Sequence, residues 1–187
     1  ALVTGASQGL GQGMALALAA AGADIAGLDR CTSEATADQV RALGRRYVQV
    51  CCDLLDASVA DLQGVVGQVV VELGRLDILV NNAGIIRRGP ALDFSEADWD
   101  DVLHINLKAV FFLAQAAARA MVAQGRGGKI INIASMLSFQ GGINVVSYTA
   151  AKSGVAGVTH ALANEWAKHG INVNAIAPGY MATDNTA

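Results

Sequence analysis

Short apolar runs alternate with longer segments of helical periodicity along the whole chain. The apolar runs predict six strands, at residues 2–3, 24–29, 46–52, 77–80, 129–134 and 171–177. The segments between them predict helices at 12–21, 33–43, 59–73, 99–123 and 148–169. Strands that alternate with helices form parallel sheets with helices on both faces. The pattern therefore predicts an α/β fold with a doubly wound parallel sheet in one domain, 1–187.

The composition is typical of a folded domain without a strongly charged surface. The chain has 187 residues, of which 53% are hydrophobic and 16% charged, so it can build a sizeable core. A net charge of −3 argues against a nucleic-acid surface. Polar residues and glycines interrupt the apolar runs before any reaches the length of a membrane span, so we expect no membrane association.

The number and spacing of the cysteines indicate the cellular compartment of the protein. Cys31, Cys51 and Cys52 are an odd number with an adjacent pair, which indicates reduced thiols in a cytoplasmic protein and not a disulfide framework. No histidine lies near them at ligand spacing, so we predict no metal site.

The chain begins inside a strand, without a methionine or signal peptide, and ends in a loop. This predicts a piece of a longer protein, truncated at both ends.

A glycine-rich loop follows the first predicted strand and leads into the first helix. Glycines allow a tight turn and a close approach of the backbone to a ligand. The N–H groups at the start of the following helix can bind a pyrophosphate. Strand, glycine loop and helix in this order predict a dinucleotide site. Its candidate contacts are Gly5, Ser7, Gln8, Gly9, Leu10 and Gly11.

An acidic residue closes the second predicted strand. Asp29 lies eighteen residues after Gly11, where a carboxylate can accept hydrogen bonds from the ribose hydroxyls of NAD and repel the 2′-phosphate of NADP. The alternative is a solvated turn aspartate. The neighbouring Arg30 favours NADP, since a guanidinium can pair with a 2′-phosphate. We predict NAD as the cofactor, with NADP as the second choice.

The third and fourth predicted strands also end in polar residues that can face a ligand. Asp53 follows the third strand and could meet an adenine ring or cap the helix that begins near Ala57, two alternatives that stay open. Two amides and two small residues follow the fourth strand at 81–84. They let the backbone pass close to a flat ring and leave amide side chains to tie loops together.

The strongest chemical signal is a tyrosine and a lysine one helical turn apart. Tyr148 and Lys152 lie on the same helix face, where the lysine cation would stabilise a phenolate and lower the tyrosine's pKa. Such a tyrosine can give a proton to a carbonyl oxygen or take one from an alcohol. Ser135 ends the fifth strand, where its hydroxyl could hold a carbonyl within hydride reach of a nicotinamide. The alternative is a solvated helix pair with a serine cap.

Taken together, these motifs resemble the short-chain dehydrogenase/reductase family over the whole chain. The matching residues are Thr4, Gly5, 9–11, Asp53, Leu54, 81–84, Asn106, Ser135, Tyr148, Lys152, Pro178 and Gly179. The resemblance implies a Rossmann fold and a catalytic tetrad, formed by Asn106, Ser135, Tyr148 and Lys152. In that tetrad Tyr148 is the general acid or base, Lys152 lowers its pKa and contacts the nicotinamide ribose, and Asn106 anchors a proton-relaying water. The implied further cofactor contacts are Asp53, Leu54, Asn81, Ala83, Gly84, Pro178, Gly179 and Thr183.

Several loops are similar to those of the gluconate-type sugar-acid dehydrogenases within that family. The similar segments are 84–88, 93–96, 135–142, 164–168 and 178–183. This resemblance implies a substrate of the 2-dehydro-3-deoxy-D-gluconate or 2-deoxy-D-gluconate type. Arg87 or Arg88 could pair with the sugar-acid carboxylate, and Gln140 and Asn144 could meet its hydroxyls. The alternatives are that both arginines are solvated loop residues and that Gln140 and Asn144 only satisfy the backbone of their loop.

The family resemblance leaves other functions open and predicts an assembly. An NADPH-linked 3-oxoacyl or general carbonyl reductase would share the tetrad, and a nucleotide-binding sensor would share the fold without turnover. Family members continue past the point where this chain ends, with a helical lid and a final strand, so we expect the chain to lack both. The family uses the apolar faces of the helices that carry Asn106 and Tyr148 as a subunit interface, which predicts a homodimer or homotetramer.

Overall fold

The computed structural model describes residues 1–30 and 34–181, and its strands form one parallel sheet. The six strands are β1 (Leu2–Thr4), β2 (Ile25–Asp29), β3 (Tyr47–Cys51), β4 (Ile78–Asn81), β5 (Gly128–Ile133) and β6 (Ile171–Ile176). They lie side by side in the order β3-β2-β1-β4-β5-β6. The chain changes direction across the sheet between β1 and β4, as in a doubly wound sheet. The predicted fold class is confirmed.

Helices connect these strands. They are α1 (Gly9–Ala20), α2 (Glu34–Ala42), α3 (Val59–Leu73), α4 (Glu96–Leu103), α5 (Val110–Gln124), α6 (Leu137–Gln140) and α7 (Val146–Trp166). Short 3₁₀ turns occupy Ala91–Asp93 and Ala167–His169. The predicted helix at 99–123 is not continuous, because a π-helical turn, His104–Ala109, joins α4 to α5. Helix α6 was not predicted, since four residues are too few to show a period.

Local side-chain chemistry sets where several elements begin and end. The Ser58 hydroxyl accepts the Asp61 N–H at 3.2 Å at the start of α3, and the Asp61 carboxylate accepts the Ser58 N–H at 2.9 Å. This reciprocal pair satisfies two N–H groups that the helix leaves unpaired. Gly125 ends α5 in the left-handed conformation that favours glycine. The central strands β1 and β4 are almost entirely buried, as expected of a parallel sheet covered on both faces.

One helical run is long and apolar enough to cross a membrane, by length and composition alone. It extends over Glu96–Gln124, and 56% of its most apolar window is buried inside the protein. Such burial is typical of the core helix of a globular fold. The expectation that no segment reaches the length of a membrane span is therefore wrong.

The carboxyl ends of all six parallel strands lie on one edge of the sheet. In an open sheet of this kind, ligands bind in the crevice outside those ends, at the point where the strand order reverses. The glycine loop follows β1, and the small residues at 81–84 follow β4. These two groups of predicted cofactor residues thus meet at the crevice between β1 and β4.

Candidate active site

The glycine loop between β1 and α1 requires glycine at two positions. Gly5 has a φ of +67°, a left-handed value that other residues rarely adopt. A Cβ on Gly11 would lie 1.9 Å from the Gly5 carbonyl oxygen, so no other residue allows α1 this approach to the loop. The N-cap residue Gln8 makes no side-chain hydrogen bond to the first turn of α1. This helix N-terminus therefore offers the N–H groups that a pyrophosphate needs, and these residues fit a dinucleotide.

Asn82 fixes the glycine loop to the end of β4. Its side-chain amide donates to the Thr4 carbonyl at 2.9 Å, and its backbone N–H donates to the Thr4 hydroxyl at 2.9 Å. The Ala83 N–H donates to the same hydroxyl at 2.8 Å. The sequence predicted that amides at 81–84 tie loops together, and the structure identifies Asn82 as that amide and Thr4 as its partner.

Asp29 ends β2 beside the glycine loop. Its Oδ2 accepts the Ser7 N–H at 3.2 Å, and its Oδ1 accepts the Arg30 N–H at 2.8 Å. These bonds orient a partly exposed carboxylate against the loop that would hold the pyrophosphate. An acceptor for ribose hydroxyls belongs at this place in the fold. A turn aspartate that was merely solvated would have no contact with Ser7.

Three other predicted cofactor residues direct their side chains to structural partners. The Asp53 carboxylate accepts a backbone N–H two residues further on, at 3.0 Å, and Ser58 caps α3, so the alternative that Asp53 caps this helix is wrong. Leu54 is buried in the main core. Asn81 is also buried and donates to Asn132 Oδ1 at 2.9 Å, which braces β4 against β5. Contacts of Leu54 and Asn81 with a cofactor would therefore have to come from the backbone.

Asn106 lies in the π-helical turn between α4 and α5 and is fully buried. Its Oδ1 accepts the Ile85 N–H at 2.9 Å, and its Nδ2 donates to the Ile85 carbonyl at 2.8 Å. A Cβ on Gly84 would lie only 3.1 Å from the Asn106 Oδ1, so glycine lets the loop approach this closely. The side chain clamps the loop after β4, and the predicted water anchor would have to be the Asn106 backbone.

Ser135, Tyr148 and Lys152 come together from two elements, the loop after β5 and helix α7. Lys152 is only 3% exposed, and its Nζ donates to the Ile133 carbonyl at 2.5 Å. The same Nζ lies 5.6 Å from the centroid of the Tyr148 ring. The Ser135 Oγ accepts the Leu137 N–H at 3.2 Å, so the hydroxyl proton can still be donated to a second partner. The structure therefore assembles the three residues predicted to contact the substrate oxygen and the nicotinamide ribose.

Burial dominates the titration of this cluster. Desolvation raises the pKa of Tyr148, and hydrogen bonding from the Ser135 side chain partly lowers it again. Desolvation also lowers the pKa of Lys152 to about 8. The predicted lowering of the Tyr148 pKa by Lys152 is not found, because the ammonium lies against the ring and donates to Ile133. Ser135 is the group that favours the phenolate in this structure.

The loop that carries Arg87 and Arg88 contacts the loop that carries Asn144. The Gly89 N–H donates to the Asn144 carbonyl at 3.0 Å, which joins the loop after β4 to the loop before α7. Asn144 has a φ of +60° and is exposed, as is Gln140 at the end of α6. Both side chains are therefore accessible from solvent on the side of the sheet edge that carries Ser135.

The two arginines that follow β4 differ in their surroundings. The Arg87 guanidinium pairs with Asp98 and Asp101 of α4, both at 3.2 Å. It thus already holds two carboxylates and ties the loop to α4. Arg88 is exposed. Of the two predicted anion-binding residues, the structure assigns Arg87 a structural contact.

The segment after β6 reaches the same site. The Met136 N–H donates to the Pro178 carbonyl at 3.1 Å, which holds Pro178 and Gly179 near Ser135. Thr183 lies outside the described residues, so its contact with the nicotinamide stays a prediction. Within residues 1–30 and 34–181, no group of three or more His, Cys, Asp or Glu side chains is arranged to hold a metal ion.

Sequence reasoning missed side chains that brace the site from behind. Thr36 of α2 is fully buried and donates to the Ala6 carbonyl of the glycine loop at 3.0 Å. Gln12 of α1 donates to the Thr36 hydroxyl at 2.9 Å. Ser138 of α6 links the loop after β5 to α7. A lone polar residue inside a helical pattern is too common to reveal such roles, so the sequence carried no specific signal for them.

Comparison with known proteins identifies the family. The family model for short chain dehydrogenases matches residues 1–187. The chain belongs to this family. As a short-chain dehydrogenase it is an oxidoreductase that acts on CH–OH groups with NAD or NADP, so the predicted family and enzyme class are confirmed.

Three relatives show how closely this short-chain dehydrogenase follows known members. The 2-dehydro-3-deoxy-D-gluconate 5-dehydrogenase of Escherichia coli (strain K12) is 62% identical over 186 residues, which cover 100% of this chain and 73% of that enzyme. A Sinorhizobium meliloti structure, assigned as a short-chain alcohol dehydrogenase, is 48% identical with a TM-score of 0.95 and covers 100% of this chain and 73% of that one. An Agrobacterium tumefaciens structure, assigned as a 2-deoxy-D-gluconate 3-dehydrogenase with bound NADP, is 54% identical with a TM-score of 0.89 and covers 99% and 72%.

Proposed function

We propose that this short-chain dehydrogenase interconverts a secondary alcohol and a ketone on a sugar acid of the 2-dehydro-3-deoxy-D-gluconate or 2-deoxy-D-gluconate type. The observation that carries the proposal is the 62% identity with a 2-dehydro-3-deoxy-D-gluconate 5-dehydrogenase over 186 residues, which cover the whole chain. The grouping of Ser135, Tyr148 and Lys152 at one edge of the sheet supports it. A residue that exchanges protons, a hydroxyl and a cation are what this reaction needs.

In the oxidation direction, the Tyr148 phenolate takes the proton of the substrate hydroxyl. The nicotinamide cofactor, when bound, supplies the hydride acceptor. Ser135 donates its hydroxyl proton toward the substrate oxygen and, in the free site, toward Tyr148, which favours the phenolate. Lys152 is charged below about pH 8 and uses one of its three N–H donors on Ile133. The other two N–H groups remain for the ribose hydroxyls.

The preferred cofactor in this proposal is NAD. The Asp29 carboxylate is held against the glycine loop by Ser7, where it would repel the extra phosphate of NADP. NADP is the second candidate, because the Agrobacterium tumefaciens relative binds it and because Arg30 follows Asp29 directly. A comparison of the two cofactors at equal concentration separates these candidates.

The substrate carboxylate is assigned to Arg88, and the sugar hydroxyls to Gln140 and Asn144. All three are exposed, Gln140 at the end of α6 and the other two on loops, and the contact of Gly89 with Asn144 brings these two loops together. A guanidinium suits a carboxylate because it can bind both oxygens at once. We further propose that the enzyme is cytoplasmic and forms a homodimer or homotetramer through α5 and α7.

The direct test measures NADH or NADPH formation by the full-length protein with 2-deoxy-D-gluconate. In the reverse direction, it measures reduction of the ketone that forms when 2-dehydro-3-deoxy-D-gluconate is oxidised. We expect turnover with NAD, and a loss of roughly 100-fold or more in the Tyr148→Phe variant, which keeps its NADH affinity. Turnover only with 3-oxoacyl or simple carbonyl substrates would instead support a carbonyl reductase. Cofactor binding without turnover on any of these compounds would point to a sensor.

A further inference from the structure

Ser138 lies in α6, between the loop that carries Ser135 and the helix α7 that carries Tyr148 and Lys152, and its side chain bonds to both. Its Oγ accepts the Ser135 N–H at 3.2 Å. The same Oγ donates to the Lys152 carbonyl at 2.7 Å. One hydroxyl therefore connects the backbone of Ser135 to the backbone of Lys152, one turn of α7 beyond Tyr148.

The two bonds are not required to satisfy the helix. An α-helix pairs its interior carbonyls with its own N–H groups, so the bond from Ser138 to the Lys152 carbonyl is an additional link between elements. The Ser135 N–H lies just beyond the last residue of β5, where the sheet no longer supplies a partner. Ser138 satisfies that N–H and sets the distance between the Ser135 backbone and α7.

The neighbouring Ser153 also bonds α6 to α7, but it does not bond to the Ser138 hydroxyl. Ser153 is exposed, and its Oγ donates to the Ser138 carbonyl at 3.1 Å. This bond also joins α6 to α7. It does not pass through the Ser138 hydroxyl, and so it leaves the link between Ser135 and Lys152 untouched. Ser153 is therefore a matched control for the loss of a hydroxyl at this contact.

We propose that Ser138 is a positioning residue that holds Ser135 at its working distance from Tyr148 and Lys152. This inference rests on the proposed function of the site, in which Ser135 bonds the substrate oxygen and Tyr148 exchanges the proton. A displaced Ser135 would misplace the substrate oxygen and would lose its hydrogen bond to the tyrosine. Both effects reach the chemistry through Ser135, because Ser138 itself contacts backbone groups.

The test is the Ser138→Ala variant of the full-length protein. We expect kcat to fall roughly 10- to 100-fold, the range that follows from misplacing a reacting group by about an ångström, with NADH affinity unchanged. Because hydrogen bonding from Ser135 lowers the pKa of Tyr148, we also expect the limb of the oxidation pH profile that reports the phenolate to move to higher pH. We expect Lys152, the charged group against the Tyr148 ring, to keep its place in this variant, because its Nζ is bonded to the Ile133 carbonyl. A purely structural role would lower the melting temperature without moving that limb.

Two further variants make the outcome decisive. Ser138→Thr keeps a hydroxyl and should restore most of the rate, whereas Ser153→Ala should behave like the wild type. A wild-type kcat and pH profile in Ser138→Ala, or an equal loss in Ser153→Ala, would overturn the proposal. If Ser138→Ala does not fold, Ser138→Cys replaces it.

Failure of the proposed function would look different. In that case the wild type itself turns over none of the sugar acids. Ultraviolet titration of Tyr148, with Tyr148→Phe as the reference, then still reports whether Ser138→Ala raises the pKa of the tyrosine. An unchanged pKa would reject the role of Ser138 on its own.

Discussion

At the scale of single residues, we propose that Asp29 sets the preference between the two nicotinamide cofactors. Its carboxylate accepts the Ser7 N–H and lies beside the loop that would hold the pyrophosphate. We expect Asp29→Ala to lower kcat/KM for NAD by roughly 10- to 100-fold, since a hydrogen bond to a charged group contributes about 1.5–3 kcal/mol. The same change removes the repulsion of a 2′-phosphate, so kcat/KM for NADP should rise relative to NAD.

Steady-state kinetics with both cofactors measures this ratio. Because loss of the Ser7 contact loosens the loop for either cofactor, the ratio and not the absolute rate is informative. The Asp29→Asn variant serves as a control, since it keeps the shape of the side chain and removes the charge. An unchanged ratio in both variants would show that Asp29 does not select the cofactor.

The lowered pKa of Lys152 predicts that the stability of the fold depends on pH. Its pKa is about 8 in the folded protein, against an ordinary value of 10.5. Between these values the unfolded state binds one more proton than the folded state, so the free energy of unfolding rises with pH across the interval. A shift of this size corresponds to about 3 kcal/mol. Below the folded pKa the lysine is charged in both states, and the cost of burying the charge is fully present.

Urea denaturation of the wild type and of Lys152→Met, at about pH 7 and about pH 10, tests this expectation. The wild type should gain stability relative to the variant as the pH rises, while the titrations that the two proteins share cancel in the comparison. A difference in stability that stayed constant over this interval would show that Lys152 does not change its proton affinity on folding.

At the scale of elements, the loop after β4 is held at three places. Asn106 clamps Ile85 through both atoms of its amide, Arg87 pairs with Asp98 and Asp101, and Gly89 bonds to the loop before α7. Most of the backbone around Arg88 is thereby positioned before any substrate arrives. Such prior ordering reduces the entropy lost when a ligand binds.

This arrangement predicts different effects for the two adjacent arginines. Arg88→Ala should raise KM for the sugar acid about 10-fold or more with little change in kcat, because it removes a charge-assisted contact with the carboxylate. Arg87→Ala should instead lower thermal stability and alter kcat and KM together, because it frees the loop from α4. Kinetics and melting temperatures of both variants separate the roles. A larger effect on KM alone from Arg87→Ala would exchange the two assignments.

The elements also show what the sequence could and could not predict. The strands and long helices follow from periodicity, and the pair of Tyr148 and Lys152 follows from helical spacing, since both depend on neighbours along the chain. The π-helical turn around Asn106 does not, because it is stabilised by a contact with Ile85, twenty-one residues away. The direction of the Tyr148 pKa was wrongly predicted for the same reason. Burial and the position of the Lys152 ammonium are tertiary properties that spacing alone does not contain.

At the scale of the whole molecule, α5 and α7 form an apolar face with two adjoining grooves. Leu107, Phe111 and Val158 line the first groove, and Phe111, Val122 and Trp166 line the second. Charged residues, among them Lys108, Arg119 and Glu165, also line the grooves. Phe111 lies in both grooves, so the face is continuous. Continuous apolar faces of this kind are typical of subunit interfaces. This face is therefore where we expect a second copy of the chain to pack.

Two exposed valines allow a matched test of that interface. Val122 of α5 is 44% exposed in the second groove, whereas Val71 of α3 is 83% exposed and lines neither groove. Because both side chains are accessible, replacing either with glutamate should cost the fold little. Val122→Glu would place a charge inside the interface, where it loses its hydration, so we expect this variant to dissociate to smaller species. Val71→Glu should assemble like the wild type.

Sedimentation velocity of the full-length protein over a range of concentrations measures the assembly directly. A wild type that sediments as a monomer at every concentration would reject the predicted dimer or tetramer. Assembly of Val122→Glu that matched the wild type would instead move the interface to another face. Activity of the dissociated Val122→Glu variant then becomes informative, because Ser135, Tyr148 and Lys152 all come from one chain. Retained turnover in that variant would show that assembly stabilises the enzyme without completing its site.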